Sequence, residues 1–165
     1  MENKLMLSTF YIASVTLANL IVHTFGPWTI PINAFFLIGL DLTLRNVLSF
    51  RTSKLQMMVL IIAAGIVTYV ANPSAERIAI ASSVSFVCAA IVDWTVFSMV
   101  RAGWIRKNAT GSMAGAVIDS MLFPTLAFGS FLPMIVVTQV IAKTSGAVIW
   151  SLIFNRGVVR TQEGK

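Results

Sequence analysis

Six ionisable side chains stand inside or at the edge of otherwise apolar stretches: Asp41, Arg45, Arg77, Asp93, Asp119 and Lys143. A charged group at the centre of a membrane helix costs about 2.5–3.5 kcal/mol on insertion scales, so it persists where it meets a partner or a ligand. Three acids and three bases can cancel, and the expectation is a shared, partly hydrated cavity able to hold a polar molecule. Asp41 and Arg45 have the i, i+4 spacing that lets two side chains pair on one helix face. Self-neutralising glue is the plainer reading of that pair. Gln139 and Lys143 repeat the spacing. Asp119 shares its face with Gly111, Ser112 and Gly115, and small residues let a neighbouring backbone approach. Gly111 and Gly115 by themselves speak for packing. Asp93 follows a face of Ser82, Phe86 and Ala89, whereas Thr43 points away from its charged neighbours towards backbone. Asn19 is the polar exception in the first apolar run, a ligand contact or an interhelical hydrogen bond. Pro124 withdraws the helical donor from the Ser120 carbonyl, which reads as a kink or as a freed acceptor.

The elements that carry these groups follow from the composition. The 165 residues are 57% hydrophobic and 11% charged, with a mean hydropathy of +0.86, whereas soluble domains carry roughly 25% charge. A chain this small could not bury so much apolar surface in water. Since a bilayer core takes about 20 apolar residues per helix, the distances between charges give six spans, approximately 5–24, 31–49, 55–72, 77–100, 112–128 and 132–154. Gly26, Pro27 and Pro31 divide the first two, and the stretch from Gly129 to Pro133 divides the last two. The expected fold is all-α: a polytopic integral membrane protein, one transmembrane domain over 1–165.

With the N-terminus inside, nine bases fall in cytoplasmic segments (Lys4, Arg51, Lys54, Arg101, Arg106, Lys107, Arg156, Arg160 and Lys165) and one, Arg77, falls outside. That asymmetry is the positive-inside pattern, which puts both termini in the cytoplasm of a cell whose cytoplasmic membrane holds the chain. The first span is longer than a secretory h-region and has no small-x-small cleavage site. Trp28 and Trp104, near span ends, fit an interfacial aromatic belt.

Several function classes drop out. The net charge of +6 does not indicate nucleic acid, because the bases lie between apolar runs instead of clustering with aromatics on one face. A single Cys88 and a single His23 supply neither a disulfide framework, a metal cluster nor a nucleophile–base pair. No enzyme and no cofactor is therefore expected, and Cys88 reads as a small packed residue. The chain contains no GxxxxGK[ST] phosphate loop, so ATP-driven work would need a separate energising membrane subunit.

Several segments in order resemble one family. Asp41-Leu42-Thr43-Leu44-Arg45 resembles the DLTxR signature of the VUT proteins, also called queuosine precursor transporters. Arg77-Ile78-Ala79 followed by Ser82 resembles that family's fourth-helix start, and Asp93-Trp94-Thr95-Val96-Phe97, ending near Arg101, its D-x-x-V-F segment. Gly115-Ala116-Val117-Ile118-Asp119-Ser120 with Phe123 resembles its G-x-x-x-D-T-x-x-F segment. Asn19 and Lys143 fall at the family's polar residue of the first helix and lysine of the last. There are departures: Ala90 where the family usually has Gln, Ala116 where it has Asn, Ser120 for Thr, and shorter outer loops.

The resemblance implies import of a 7-deazaguanine, such as preQ0 or preQ1, for queuosine modification of tRNA. It implies substrate binding by Asn19, Asp41, Arg45, Arg77, Asp93, Asp119 and Lys143. The chemistry is compatible, since a carboxylate can accept both N–H donors of a guanine-like edge while a base meets the ring carbonyl. A secondary carrier with a protonatable Asp is one reading. The others are a substrate-binding subunit of an ATP-energised vitamin uptake system and a non-transporting membrane scaffold.

Overall fold

The computed structural model describes residues 2–25, 29–70, 76–131 and 133–163, and within these the side chains of 2–4, 19–20, 22–23, 30–31, 68, 76–79, 127–128 and 156–163 stay outside the description. Among the described residues the chain forms six helices and no strand: α1 (Glu2–Phe25), a composite α2, α3 (Lys54–Val70), α4 (Glu76–Met99), α5 (Trp104–Phe128) and α6 (Pro133–Glu163). Composite α2 runs through a short turn at Ile30–Asn33, a π-helical segment at Ala34–Ile38 and a regular stretch at Gly39–Ser49.

Local chemistry sets the ends. Ser53 and Gln56 cap the start of α3 reciprocally, the Gln56 N–H donating to Ser53 Oγ at 3.3 Å and the Ser53 N–H to Gln56 Oε1 at 3.2 Å. Gly129 closes α5 in the left-handed region at φ 71°, its N–H donating to the Thr125 carbonyl at 3.0 Å; a residue without Cβ adopts that conformation without strain. Pro124 lies within α5, which continues through it.

Two helix boundaries differ from the charge-spacing expectation. The fifth helix begins at Trp104, ahead of 112, and the sixth runs to Glu163, beyond 154. Charge spacing measures the stretch compatible with hydrocarbon, while backbone hydrogen bonding carries on through charged residues. At 1.5 Å per residue, the 25 residues of α5 span roughly 37 Å, more than the ~30 Å apolar slab.

The polarity of the molecule is inverted relative to a water-soluble domain. Leu55, Val70, Met99 and Met134 face outward, while Asp41, Arg45 and Asp93 are buried. Ile80–Met99 and Pro133–Asn155 are each long and apolar enough to cross a membrane, and Leu5–Ala18 and Lys54–Val67 are shorter apolar helices. Both features are consistent with a membrane protein.

Trp104 corrects one expectation. It is 5% exposed, donates its indole N–H to the Ser151 carbonyl at 2.9 Å, and packs with Phe50 and Phe97 in the apolar core instead of an interfacial belt. A buried indole finds an acceptor for its N–H, and α6 supplies it. Trp28 lies outside the described residues.

Small residues let the helices around α2 approach. Where α2 crosses α6, a Cβ on Gly39 would sit 2.7 Å from the Gly146 carbonyl carbon, and one on Gly146 would overlap the Phe35 carbonyl. Gly111 and Gly115 play the same part for α5 against α4, since added Cβ atoms would lie 2.6 Å from Asp93 Oδ1 and 2.8 Å from Asp93 Cβ. The packing reading of this glycine pair holds. Next to the α6 crossing, the Trp150 indole donates to the Phe36 carbonyl at 2.8 Å, inside the π segment. Gly146→Val should therefore destabilise the protein by roughly 1–3 kcal/mol or more, as overpacking against backbone does. Gly103→Ala, where a Cβ meets nothing within 4 Å, should leave the thermal midpoint of the detergent-purified protein unchanged.

Candidate functional site

The regular part of α2 has every residue from Asp41 to Leu48 buried, so it lies at the centre of the helices packed around it. Its polar residues must find partners there, because an unpaired polar group in an apolar interior is costly. Arg45 Nη2 donates to Asp41 Oδ2 at 2.7 Å, and Nη1 lies 3.1 Å from Asp93 Oδ2 on α4. The guanidinium also sits 5.6 Å from the Phe86 ring centre, within cation–π range. The Tyr11 hydroxyl of α1 lies against Arg45. Asp41 and Arg45 are 1% exposed and Asp93 0%, so this cluster is closed to water.

An amide chain extends it. Asn46 Nδ2 donates to Asp93 Oδ1 at 3.1 Å and to Asn108 Oδ1 at 3.0 Å. Asn108 Nδ2 donates to Thr43 Oγ1 at 3.3 Å and to the Ala147 carbonyl at 3.2 Å. The Thr43 hydroxyl is 3.0 Å from the carbonyls of both Gly39 and Ala147. Thr43 thus bonds backbone as expected, yet it does not point away from the charges. With α2 buried around its whole circumference, every face of it has a partner.

A second cluster joins α5 to α6. Lys143 Nζ donates to Asp119 Oδ2 at 2.5 Å, to Gln139 Oε1 at 2.9 Å and to Ser120 Oγ at 3.1 Å, which occupies all three ammonium donors. The Lys143 side chain is 5% exposed, but that of Asp119 is 27% exposed. Asp119 is also within electrostatic range of Asp41. The second cluster is therefore the more accessible of the two.

The expected single cavity is corrected on two counts. The described ionisable groups divide into a closed cluster (Asp41, Arg45, Asp93) and a partly open one (Asp119, Lys143). The side chains of Asn19 and Arg77 lie outside the described residues. Arg77 nevertheless precedes Asp93 by sixteen residues on the same helix, a rise of about 24 Å, so three bases do not cancel three acids in one place.

Tyr11, Asn46, Asn108, Ser120 and Gln139 complete the two clusters. The signal for Asn46 and Ser120 was adjacency to an intramembrane charge, and for Gln139 its i, i+4 spacing from Lys143. Asn108 gave none, because it lies ahead of the apolar stretch from 112, where the helix was not expected.

The sequence profile of a family described as "Putative vitamin uptake transporter" matches residues 5–156, and the chain belongs to that family. No curated protein and no solved structure matches the chain. Ala90 and Ala116, where the resemblance expects amides, are 0% and 1% exposed. Ala90 packs within the apolar core cluster.

Removing Arg45 strands two buried carboxylates. Arg45→Ala should cost about 3–5 kcal/mol, and Asn108→Ala about 1–3 kcal/mol through the groups it leaves unpaired. The exposed Lys54→Ala should stay within about 0.5 kcal/mol. Thermal unfolding of the detergent-purified variants ranks them.

Proposed function

We propose that the chain is a carrier, not an enzyme, that imports a 7-deazaguanine such as preQ0 or preQ1 through the cytoplasmic membrane. Six spanning helices form one domain with both termini in the cytoplasm, and the nine-to-one distribution of bases supports that orientation. The family membership supports uptake of a small molecule. The resemblance of the Asp41–Arg45, Asp93 and Asp119 segments to those of queuosine precursor transporters supports the substrate.

One observation carries the reading: Asp119 is a partly exposed carboxylate held by a lysine whose other two donors are satisfied inside the protein. A guanine-like edge offers two adjacent N–H donors and a neighbouring carbonyl. Asp119 accepts the donors in bidentate fashion, and Lys143 exchanges one internal acceptor for the ring carbonyl. A purine lacking those donors leaves the carboxylate unpaired, and recognition of that kind discriminates strongly. The closed Asp41–Arg45–Asp93 cluster holds α2 and α4 together beside this site.

The test is a bacterium that cannot make preQ0 and lacks its own importer, expressing this chain with limiting external preQ0. Queuosine should reappear in tRNA. Asp119→Asn and Lys143→Met should cut it by about 10- to 100-fold, the range for losing a hydrogen bond to a charged group, at unchanged membrane abundance. No queuosine from abundant membrane-inserted protein defeats the reading. A protonophore that abolishes uptake identifies a secondary carrier, whereas ATP dependence with a co-purifying membrane subunit identifies a binding subunit.

A further inference from the structure

The closed cluster contains two carboxylates and one guanidinium, all but sealed from water. Its surroundings supply no second cation among the described residues. On α1 the neighbour is the Tyr11 hydroxyl, and on α2 it is Thr43 and Asn46. On α4 the Phe86 ring faces the guanidinium, and α5 contributes Asn108 together with the further negative charge of Asp119. The α6 base, Lys143, is taken by Asp119, and Lys107 is directed at the rings of Phe97 and Phe50, 4.5 and 5.4 Å from their centres. Arg77 is four helical turns away along α4. With both acids ionised, the cluster would carry an uncompensated negative charge in an apolar interior, which is strongly disfavoured.

Two atoms point to what removes it. Asp41 Oδ1 is buried with no hydrogen-bond partner, although Oδ2 of the same carboxylate takes the Arg45 bond. The Tyr11 hydroxyl, on a residue 0% exposed, faces Arg45 and lies within electrostatic reach of both carboxylates, and it makes no well-formed hydrogen bond of its own. Asp93 receives Asn46 on Oδ1, and its Oδ2, likewise without a well-formed hydrogen bond, faces Arg45 Nη1 at 3.1 Å.

We propose that the Asp41–Arg45–Asp93 cluster binds one proton, shared by the two carboxylates and resting on Asp41 Oδ1, and that this proton is the coupling ion of import. The proton arrives from hydronium on one side of the membrane, forming one carboxyl O–H bond, and leaves to water on the other side. Arg45 stays charged throughout. Charge balance is then complete, one guanidinium facing one carboxylate. Through-space action between Asp41 and Asp119 links the proton to the ligand site, each occupancy shifting the other by the same factor. A sodium ion fits poorly, because the guanidinium occupies the space between the two carboxylates. The assignment to coupling rests on the import reading, while the proton site itself does not.

Infrared spectroscopy of the purified full chain tests the site without any substrate. The chain has three aspartates, Asp41, Asp93 and Asp119. At neutral pH the expected result is one protonated-carboxyl stretch that shifts on labelling with 13C-aspartate. It should survive D119N and vanish in both D41N and D93N, since either change leaves one acid facing one guanidinium. No such band in the labelled wild type overturns the proposal, as does a band that survives D41N or D93N or that sodium chloride removes at fixed pH. Should D41N or D93N fail to fold, the isotope shift and the insensitivity to D119N still decide the matter. In proteoliposomes, an inside-alkaline pH step should drive radiolabelled preQ0 above its external concentration. Exchange of preQ0 without such accumulation removes the coupling role. Absence of any preQ0 movement, with the band present, overturns the import reading and leaves the proton site supported.

Discussion

The structure depends on one buried guanidinium. Arg45 lies on the helix most enclosed by the others, and it is held by a carboxylate one turn earlier on its own helix and by a second on α4. Removing water from these groups is unfavourable, and it is offset only when opposite charge is met nearby. That requirement fixes more than a pair of side chains. It sets the rotation of α2 so that Asp41 and Arg45 face α4, and it sets the height of α4 so that Asp93 arrives level with Arg45. The glycine face of α5 then follows, because Asp93 leaves no room for a Cβ at Gly111 or Gly115.

The amides act as a second tier. Asn46 and Asn108 do not neutralise charge; they connect the charged cluster to the backbone of α6 at Ala147 through Thr43. Hydrogen bonds of this kind have defined lengths and directions, so they specify one arrangement of helices where apolar contacts alone would tolerate several. The result is a rigid inner seam beside a second, more accessible ion pair.

Much of this was legible in the sequence, and the limits have physical causes. Asp41 and Arg45 could be paired because i, i+4 spacing is a property of a single helix. The Asp119 face and its glycines could be read for the same reason. The partnership of Arg45 with Asp93, and of Lys143 with Asp119, could not, because it depends on which helices are neighbours and at what height, and periodicity within one helix carries no such information. Charge spacing located the apolar spans but not the helix ends, which hid Asn108 and put Trp104 at an interface where the structure has a core. The departures at Ala90 and Ala116 raise the question of a lost amide at the ligand site. Both positions are sealed, and Ala90 belongs to the apolar core cluster.

The π segment at Ala34–Ile38 has a consequence for how the chain tolerates change in length. A π turn contains one residue more than the α turn it replaces, and each α-helical residue turns the chain by about 100°. The short helical stretch before the segment is pinned by Asn33, whose amide donates to the Ala18 carbonyl, and the stretch after it is pinned by Arg45. Neither end can rotate freely. Deletion of a single residue between them would give a more regular helix by local criteria, yet it would swing Asp41 and Arg45 a quarter turn or more out of register with Asp93. The irregular turn works as a phase shifter, and the length of this segment is therefore set by the two anchors it must join.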